Sequence, residues 1–232
     1  FAQEMLATRG NSLKGKTCIV SGAGNVGIYA IEKLTQLGGK VVGFMDYDGS
    51  IYDGYGVDEE RLAFLKDLVF VRRGSLKEYA QKFKTAQFRP GQKTWDIPCD
   101  VACPTACENE LNETDAKTLL KNGCKCVCEG SNMPCTPAAI ASFQAAGILY
   151  SPGKASNAGG VAVSGLEMTQ NSMRVYWTRE EVDKYLQRIM SNIHTSCLAS
   201  AAEYGLTGNY MAGANIAGFK KVADAMIDQG LV

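Results

Sequence analysis

The chain has 232 residues, of which 46% are hydrophobic and 21% are charged, as in an ordinary globular protein that buries a core. Its 24 Lys and Arg residues balance its 24 Asp and Glu residues, which argues against nucleic acid or an anionic membrane surface as a partner. No apolar run approaches the roughly 20 residues that cross a bilayer, and residues 1–9 lack the layout of a signal peptide, so we expect a cytoplasmic protein.

Short apolar runs alternate with helical patterns along the first two thirds of the chain. Strands are inferred from β-branched apolar runs, and helices from apolar residues spaced by three and four. Glycines, prolines and capping residues mark the boundaries, and Ser75 to Glu78 has the pattern of a capping box. The predicted order is helix 1–9, strand 17–21, helix 25–37, strand 40–46, loop 47–56, helix 57–68, helix 76–83, loop 88–98, strand 100–103, helix 114–122, strand 124–129, helix 137–147 and strand 148–151.

The last third of the chain has only helical patterns, which predict helices over 161–174, 179–204 and 215–229. Alternating strands and helices indicate an α/β protein with a doubly wound, mostly parallel sheet. We therefore expect helices on both faces of the sheet and a helical C-terminal portion packed on it.

The nine cysteines and the single histidine give little support to metal binding or to nucleophilic catalysis. The cysteines lack the paired spacing of a zinc site, and buried free cysteine is a common small hydrophobic residue. No partner motif stands near His194, which weakens any Ser-His or Cys-His scheme. We expect reduced thiols, no metal site, and a histidine that lies on a helix face.

The turn between the first predicted strand and helix reads Gly22-Ala23-Gly24-Asn25-Val26-Gly27, a G-x-G-x-x-G pattern. Three glycines can align by chance, but here a strand precedes the turn, a helix follows it, and Asp46 ends the next strand. In a dinucleotide-binding βαβ unit, such glycines allow a tight turn, approach of the backbone to a pyrophosphate, and close helix–strand packing. The pattern predicts a Rossmann-type nicotinamide-dinucleotide site; the alternative is a similar turn that holds no nucleotide.

Five stretches along the chain match more than a generic fold. They are VSGAGNVG (20–27), CEGSNMP (128–134), PGKASNAGGV (152–161), SGLEM (164–168) and NIAGF (215–219). Together they resemble the cofactor domain of hexameric glutamate dehydrogenase, and most closely its small NADP-preferring type. The resemblance runs from about residue 5 to residue 232, and it is far more specific than the glycine turn alone.

This resemblance implies a role in amino-acid metabolism, the reversible oxidative deamination of L-glutamate. L-Glutamate, NADP and water give 2-oxoglutarate, ammonia and NADPH, with hydride passing between the substrate Cα and nicotinamide C4. The family assembles as a homo-hexamer, so the resemblance also implies that state for the whole enzyme.

The site residues that the resemblance implies fall into a cofactor group and a substrate group. The pyrophosphate would be held by Gly22, Gly24, Asn25, Val26 and Gly27. Asn132 and Asn157 would lie at the nicotinamide end. Ser164 would help to bind the side-chain carboxylate of glutamate. The expected cofactor-binding residues are Ser21, Gly22, Gly24, Asn25, Val26, Gly27, Asp46, Arg72, Arg73, Asn132 and Asn157, and the expected substrate-binding residues are Val161 and Ser164.

The catalytic lysine and aspartate of the family belong to a preceding substrate domain, so no catalytic residue is assigned in this chain. We expect residues 1–14 to be a linking helix from that domain and residues 15–232 to be the dinucleotide-binding domain, mainly helical over 161–232. The chain alone is then expected to bind dinucleotide but to turn over little glutamate, because closure of two domains completes the site.

The choice between NADP and NAD depends on conflicting residues. Asp46 favours NAD, because a carboxylate binds the ribose 2′-hydroxyl and repels a 2′-phosphate; it could instead only cap a loop. Arg72 and Arg73 resemble the basic residues that bind the 2′-phosphate in the family, although two arginines before a glycine can also be merely solvated. Tyr47 departs from the small hydroxyl residue of NADP members, and Cys107-Glu108 replaces the usual Thr-Gln. We favour NADP, with NAD possible.

Two alternatives remain at this stage. The first is a dehydrogenase of another amino acid, namely leucine, valine or phenylalanine; Ser164 argues against it, because those relatives need an apolar floor. The second is a non-catalytic dinucleotide-binding domain that uses the fold for regulation or assembly.

Overall fold

The structure, a computed structural model, describes residues 1–230. The chain divides into two compact units, one formed by Ala2–Leu149 and the other by Phe1 with the residues from Tyr150 onward. The strands are β1 (Thr17–Val20), β2 (Lys40–Asp46), β3 (Gly49–Asp53), β4 (Ala86–Pro90), β5 (Val101–Cys103), β6 (Cys126–Cys128) and β7 (Leu149–Ser151). The helices are α1 (Ala2–Ala7), α2 (Asn25–Gln36), α3 (Glu59–Lys66), α4 (Leu76–Lys82), α5 (Glu113–Lys121), α6 (Pro137–Ala145), α7 (Gly153–Ser156), α8 (Gly159–Met173), α9 (Arg179–Glu203) and α10 (Tyr210–Gln229).

The seven strands form one sheet of order β4-β3-β2-β1-β5-β6-β7, and β1 to β6 lie in the first unit. β1 pairs in parallel with β2 and with β5, and β5 pairs in parallel with β6. These central strands carry the continuous apolar runs expected of strands that are buried on both faces. The prediction of a doubly wound, mostly parallel α/β sheet is confirmed.

The edge of the sheet differs from the sequence prediction. The loops predicted over 47–56 and 88–98 are wrong, because they contain β3 and overlap β4. β3 pairs antiparallel with both β2 and β4, and Asp46 pairs with Gly49, so that Tyr47 and Asp48 alone form the hairpin turn. These strands are held by the hydrogen-bond ladder at a sheet edge, where a long apolar run is not needed.

The helix predicted over 57–68 begins later and continues differently. It starts as α3, whose N-cap residue Asp58 accepts a hydrogen bond from the Arg61 N–H group. From Asp67 to Arg72 the backbone continues as a π-helical segment, which ends where Arg73 adopts a left-handed conformation with φ of 52°. A π-helical turn is an uncommon departure from α-helix and is often found at functional sites.

The capping box predicted at Ser75 forms only in part. The Ser75 hydroxyl accepts a hydrogen bond from the Lys77 N–H group at 3.2 Å and so begins α4. The Glu78 carboxylate does not complete the box but accepts a hydrogen bond from Arg72 at 2.8 Å. The ion pair with the end of the π-helical segment therefore replaces the second half of the motif.

Beyond β7, the described residues of the second unit form the four helices α7 to α10. α9 begins with a complete capping box between Thr178 and Glu181. His194 on α9 is buried, and its Nε2 atom lies 3.0 Å from the Tyr210 hydroxyl. The ring of Phe1 packs edge-on against the same His194 and Tyr210. This aromatic cluster forms part of the buried interior of the unit.

Helix α8 differs from the other helices of this unit, because none of its residues is buried. Across residues 1–230, no helix combines the length and the apolarity that a membrane crossing requires.

Candidate functional site at the carboxyl end of beta1

The predicted glycine turn lies at the point where the strand order reverses. β1 lies between β2, which is the next strand in the chain, and β5, which comes only after β3 and β4. The connections that leave β1 and β5 therefore diverge, and in open α/β sheets ligands bind in the crevice that this divergence leaves. We refer to the carboxyl ends of β1 and β5 as the switch point.

Two of the three glycines of the turn are required by close packing. Gly22 has φ of +73°, and a Cβ atom there would lie 2.9 Å from the Ala106 Cβ atom. A Cβ atom on Gly27 would lie 1.6 Å from the Gly22 carbonyl oxygen, so α2 packs directly on the turn. No residue with a side chain fits either position without a backbone shift.

The middle glycine is different, because it faces open space. A Cβ atom on Gly24 would meet no atom within 4 Å. Gly24 is also the N-cap residue of α2, and no side chain caps this helix end. The first-turn N–H groups of a helix have no partner within the helix, so they remain available to a ligand beside Gly24. The start of α2 is thus suited to bind an anion.

A hydrogen-bond network fixes the end of β1 against the connection that follows β5. Ser21 is fully buried, and its hydroxyl donates to the Glu110 Oε1 atom at 2.7 Å. The same hydroxyl accepts from the Thr105 N–H group at 2.7 Å, and the Thr105 hydroxyl donates to the Ser21 carbonyl oxygen. The Ser21 hydroxyl is therefore bound by both Glu110 and Thr105, and these contacts fix the residue that precedes the turn.

Glu110 is the charged member of this network. Its Oε1 atom also accepts a hydrogen bond from the Ala106 N–H group at 3.0 Å. Its Oε2 atom is buried, and within residues 1–230 no hydrogen-bond partner contacts it. Burial raises the pKa of the Glu110 carboxyl group, although the hydrogen bonds from Ser21 and Ala106 and the charge of Lys93 act in the opposite direction.

The residues predicted to contact the adenosine ribose lie at the ends of two elements. Asp46 ends β2, and its Oδ1 atom accepts a hydrogen bond from the Tyr47 N–H group at 2.8 Å. Arg72 is held between two carboxylates, Asp67 at 2.7 Å and Glu78 at 2.8 Å. The neighbouring Arg73 is exposed and, in the part of the chain that the structure describes, its side chain has no such partner.

The connections after β5 and β6 meet beside the turn. The Asn109 N–H group donates to the Met133 carbonyl oxygen at 2.9 Å, and both residues have positive φ angles, of 56° and 47°. A Cβ atom on Gly130 would lie 2.7 Å from Thr105 Cγ2 and 3.5 Å from Val26 Cγ1. Left-handed non-glycine residues are energetically costly and cluster at functional sites.

The three predicted residues of the second unit form a group of their own. Asn157 is the C-cap residue of α7, and Val161 and Ser164 lie one turn apart at the start of α8. Val161 is 73% exposed, and the Ser164 hydroxyl donates to the Gly160 carbonyl oxygen at 3.3 Å. Val161 and Ser164 thus share one accessible helix face.

The remaining predictions concern Asn132 and the cysteines. Asn132 is exposed in the connection after β6, beside Met133. The nine cysteines carry no disulfide, and no group of three His, Cys, Asp or Glu side chains among residues 1–230 is arranged to hold a metal ion.

No sequence pattern marked Glu110, Thr105 or Ala106 as site residues. Their position could have been inferred, because they follow the strand that neighbours β1 at the switch point. The contact between Glu110 and Ser21 spans 89 positions of the chain, however, and local patterns do not predict contacts of that range.

The sheet order, the packed glycine turn and the uncapped start of α2 define a Rossmann-type α/β domain. The model of the Glutamate/Leucine/Phenylalanine/Valine dehydrogenase family matches residues 1–230, and the chain belongs to that family. The resemblance noted in the sequence is thereby confirmed.

Individual relatives agree with this assignment. The NAD(P)-specific glutamate dehydrogenase of Xylanibacter ruminicola is 54% identical over 231 residues, which is 100% of this chain and 52% of that protein. The NADP-specific glutamate dehydrogenase of Helicobacter pylori is 52% identical over 238 residues, again 100% of this chain and 52% of the relative. The crystal structure of Plasmodium falciparum glutamate dehydrogenase matches with a TM-score of 0.95 and 45% identity, over 99% of this chain and 49% of that one. The chain thus spans about half the length of these relatives.

Proposed function

We propose that the chain is the cofactor-binding part of an NADP-dependent glutamate dehydrogenase, which converts L-glutamate, NADP and water to 2-oxoglutarate, ammonia and NADPH. Family membership and the names of the relatives support this substrate and this reaction. The observation that carries the proposal is the uncapped start of α2 beside Gly24, at the switch point of the sheet.

The geometry of the turn fits a dinucleotide diphosphate. Gly22 and Gly27 bring strand, turn and helix into contact, and Gly24 leaves the space above the first-turn N–H groups open. The first turn of α2 contains no acidic side chain that would repel an anion. In this proposal the N–H groups of Asn25 and Val26 bind the diphosphate oxygens, aided by the positive end of the helix dipole.

The remaining predicted residues would orient the two reacting groups. When bound, the nicotinamide ring supplies the hydride acceptor. Asn132 and Asn157 each offer an amide that can donate to and accept from the carboxamide and ribose of the cofactor. No residue of the chain is assigned a proton-transfer role, because the family resemblance places the catalytic lysine and aspartate in another domain.

Glutamate is the substrate that Ser164 favours among the amino acids named for the family. Its hydroxyl is exposed at the start of α8, where it can donate to a carboxylate. An apolar side chain of leucine, valine or phenylalanine would offer this hydroxyl no acceptor and would gain nothing from it. Val161, one turn earlier, would contact the aliphatic part of glutamate.

For the cofactor, we propose NADP with NAD also accepted, and we assign the 2′-phosphate to Arg73. Arg72 is neutralised by Asp67 and Glu78, whereas Arg73 is exposed. The similarity to both NAD(P)-specific and NADP-specific enzymes supports dual use. Asp46 would then bind a ribose hydroxyl and limit the preference for the 2′-phosphate.

The proposal extends to the whole enzyme. We infer that residues 1–14 form the link from the substrate domain, that residues 15–232 form the cofactor domain, and that the chain alone binds dinucleotide but turns over little glutamate. We also propose that the whole enzyme is a cytoplasmic homo-hexamer. Sedimentation of the longer protein tests the hexamer. An assay of this chain and of the longer protein with glutamate and NADP tests whether the chain alone turns over little glutamate.

The central test is Gly24→Ala. Because this methyl group enters open space, the variant should keep the stability of the wild type, as judged by the urea midpoint. It should bind NADP at least about tenfold more weakly, because the methyl group keeps the diphosphate away from the backbone.

Gly218→Ala on α10, where a Cβ atom also meets no atom within 4 Å, is the matched control and should bind NADP like the wild type. Unchanged NADP affinity in Gly24→Ala would contradict the proposed site. Dinucleotide binding in a longer protein that never oxidises glutamate would instead support the non-catalytic alternative.

The cofactor assignment is tested by comparing Arg73→Gln with Arg72→Gln in calorimetric titrations with NADP and NAD. Arg73→Gln should weaken NADP binding by about tenfold and leave NAD binding unchanged, because only NADP has the 2′-phosphate. Arg72→Gln should affect both cofactors little. The reverse ranking of the two variants, or tighter binding of NAD than of NADP by the wild type, would overturn the assignment.

A further inference from the structure

Glu110 connects the two sides of the switch point through a single oxygen atom. Its Oε1 atom accepts from the Ser21 hydroxyl at 2.7 Å and from the Ala106 N–H group at 3.0 Å. Ser21 is the last residue before the glycine turn, and Ala106 is the residue against which Gly22 packs. One carboxyl group thus fixes both neighbours of Gly22.

The close packing of Gly22 against Ala106 and Gly27 leaves no space to absorb a displacement of Ser21 or Ala106. The methyl group of Ala106 stands 2.9 Å from where a Cβ atom of Gly22 would lie, and the Gly22 carbonyl oxygen stands 1.6 Å from where a Cβ atom of Gly27 would lie. Backbone packs on backbone along this path, with no flexible side chain between the elements. A shift of Ser21 or Ala106 must therefore move Gly22, and with it the start of α2.

We propose that Glu110 is a positioning residue for the phosphate-binding turn: its carboxyl group holds Ser21 and Ala106 so that the first-turn N–H groups of α2 face the diphosphate. This inference rests on the proposed dinucleotide function and assigns to Glu110 a role that acts through Gly22. Positioning needs the length and the acceptor of the side chain, and not its charge.

Two substitutions separate length from charge. Glu110→Gln keeps the reach and an oxygen that accepts from Ser21 and Ala106, and it removes the charge. Glu110→Asp keeps the charge but is shorter by one methylene group, so that it cannot hold both donors. The matched controls are Glu113→Gln and Glu113→Asp at the exposed start of α5, where Glu113 pairs with Lys117 at 2.6 Å.

The first readout is calorimetric titration with NADP, ADP-ribose and adenosine. Glu110→Asp should bind NADP and ADP-ribose about tenfold more weakly, because the hydrogen bonds from Ser21 and Ala106 cannot both form. Its affinity for adenosine, which lacks the diphosphate, should not change. Glu110→Gln and both controls should bind all three ligands like the wild type. A loss in Glu110→Gln without one in Glu110→Asp would show that charge matters, and would overturn the proposal.

The second readout needs no ligand. Amide NMR resonances of Gly22 and Gly27 should shift in Glu110→Asp and stay in place in Glu110→Gln. If the wild type binds no dinucleotide, the proposed function fails, yet these resonances still decide the positioning role of Glu110. Unshifted resonances in Glu110→Asp, or equal losses for all three ligands, would contradict that role.

Discussion

The first turns of α2 and α8 both contain glycine, but for opposite reasons. A Cβ atom on Gly27 in α2 would collide with the Gly22 carbonyl oxygen at 1.6 Å. In α8, the nearest atom to a Cβ on Gly159 would be 3.5 Å away, and Gly160 and Gly165 would meet nothing within 4 Å. Glycine in α2 is demanded by packing, whereas glycine in α8 leaves backbone uncovered.

This contrast extends to the units that contain the two helices. The first unit buries charged and polar groups in networks, as at Glu110 and at the Asp53–Arg61 pair. α8 of the second unit has no buried residue, and Val161 and Met168 on it are more than 70% exposed. Substitutions in the first unit should therefore lower the free energy of unfolding through lost packing. Substitutions on α8 should change it little, and their effects should appear only in measurements of ligand or partner binding.

The largest difference is expected between Gly27→Ala and Gly160→Ala. The first should lower the free energy of unfolding by more than about 4 kcal/mol, or prevent folding, because backbone must move to admit the methyl group. The second should raise it by about 0.5–1 kcal/mol, because alanine has the higher helix propensity. Urea unfolding measures both values. Similar effects at the two sites would remove the distinction between them.

A buried and an exposed ion pair give the next contrast. Arg61 donates to Asp53 at 3.0 Å and to Asp58 at 2.9 Å, and the Asp53 side chain is fully buried. Arg61→Ala should cost about 3–5 kcal/mol, because it leaves the Asp53 carboxylate buried and uncompensated.

The matched exposed pair joins α10 to α9, where Lys220 contacts Glu203 at 2.8 Å. Lys220→Ala should change the urea midpoint little, because solvent screens the pair. Equal losses in the two variants would mean that burial does not govern the strength of these pairs.

The smallest effect concerns pH and the buried thiols. Burial, assisted by Asp100 and Cys124, raises the pKa of Cys18 from 9.0 to about 12. The thiol therefore ionises first in the unfolded chain, and its contribution to stability is lost as pH rises from 9 toward 12.

Raising the pH from 8 to 10.5 should cost about 2 kcal/mol through Cys18, so Cys18→Ala should lose correspondingly less stability than the wild type. Cys197→Ala in the second unit is the variant to compare with Cys18→Ala. Burial alone raises the pKa of the Cys197 thiol. Identical pH profiles for Cys18→Ala and the wild type would refute this expectation.

The central fold could be predicted from the sequence, whereas its edge could not. β1, α2 and β2 lie within one residue of the predicted bounds, because each is an uninterrupted run of one pattern with clear ends. β3 and β4 were missed, because a Gly/Asp/Tyr-rich hairpin and a strand that ends at Pro90 lack that pattern. Their stability comes from the cross-strand ladder, which is not local in sequence.

The candidate site divides in the same way. The roles of Gly22 and Gly27 in packing could be predicted, because the glycine spacing encodes them. The difference between Arg72 and Arg73 could not, because it depends on the π-helical segment and on the partners Asp67 and Glu78. Glu110 was missed for the same reason, since it acts across the sheet.

The shared oxygen of Glu110 has an evolutionary consequence. Because the Ser21 hydroxyl and the Glu110 carboxylate pair with each other and with the N–H groups of Thr105 and Ala106, replacement of Ser21 or Glu110 leaves groups of the others unpaired. We therefore expect Ser21 and Glu110 to change together between relatives, and exposed positions such as Ser164 and Arg73 to change singly.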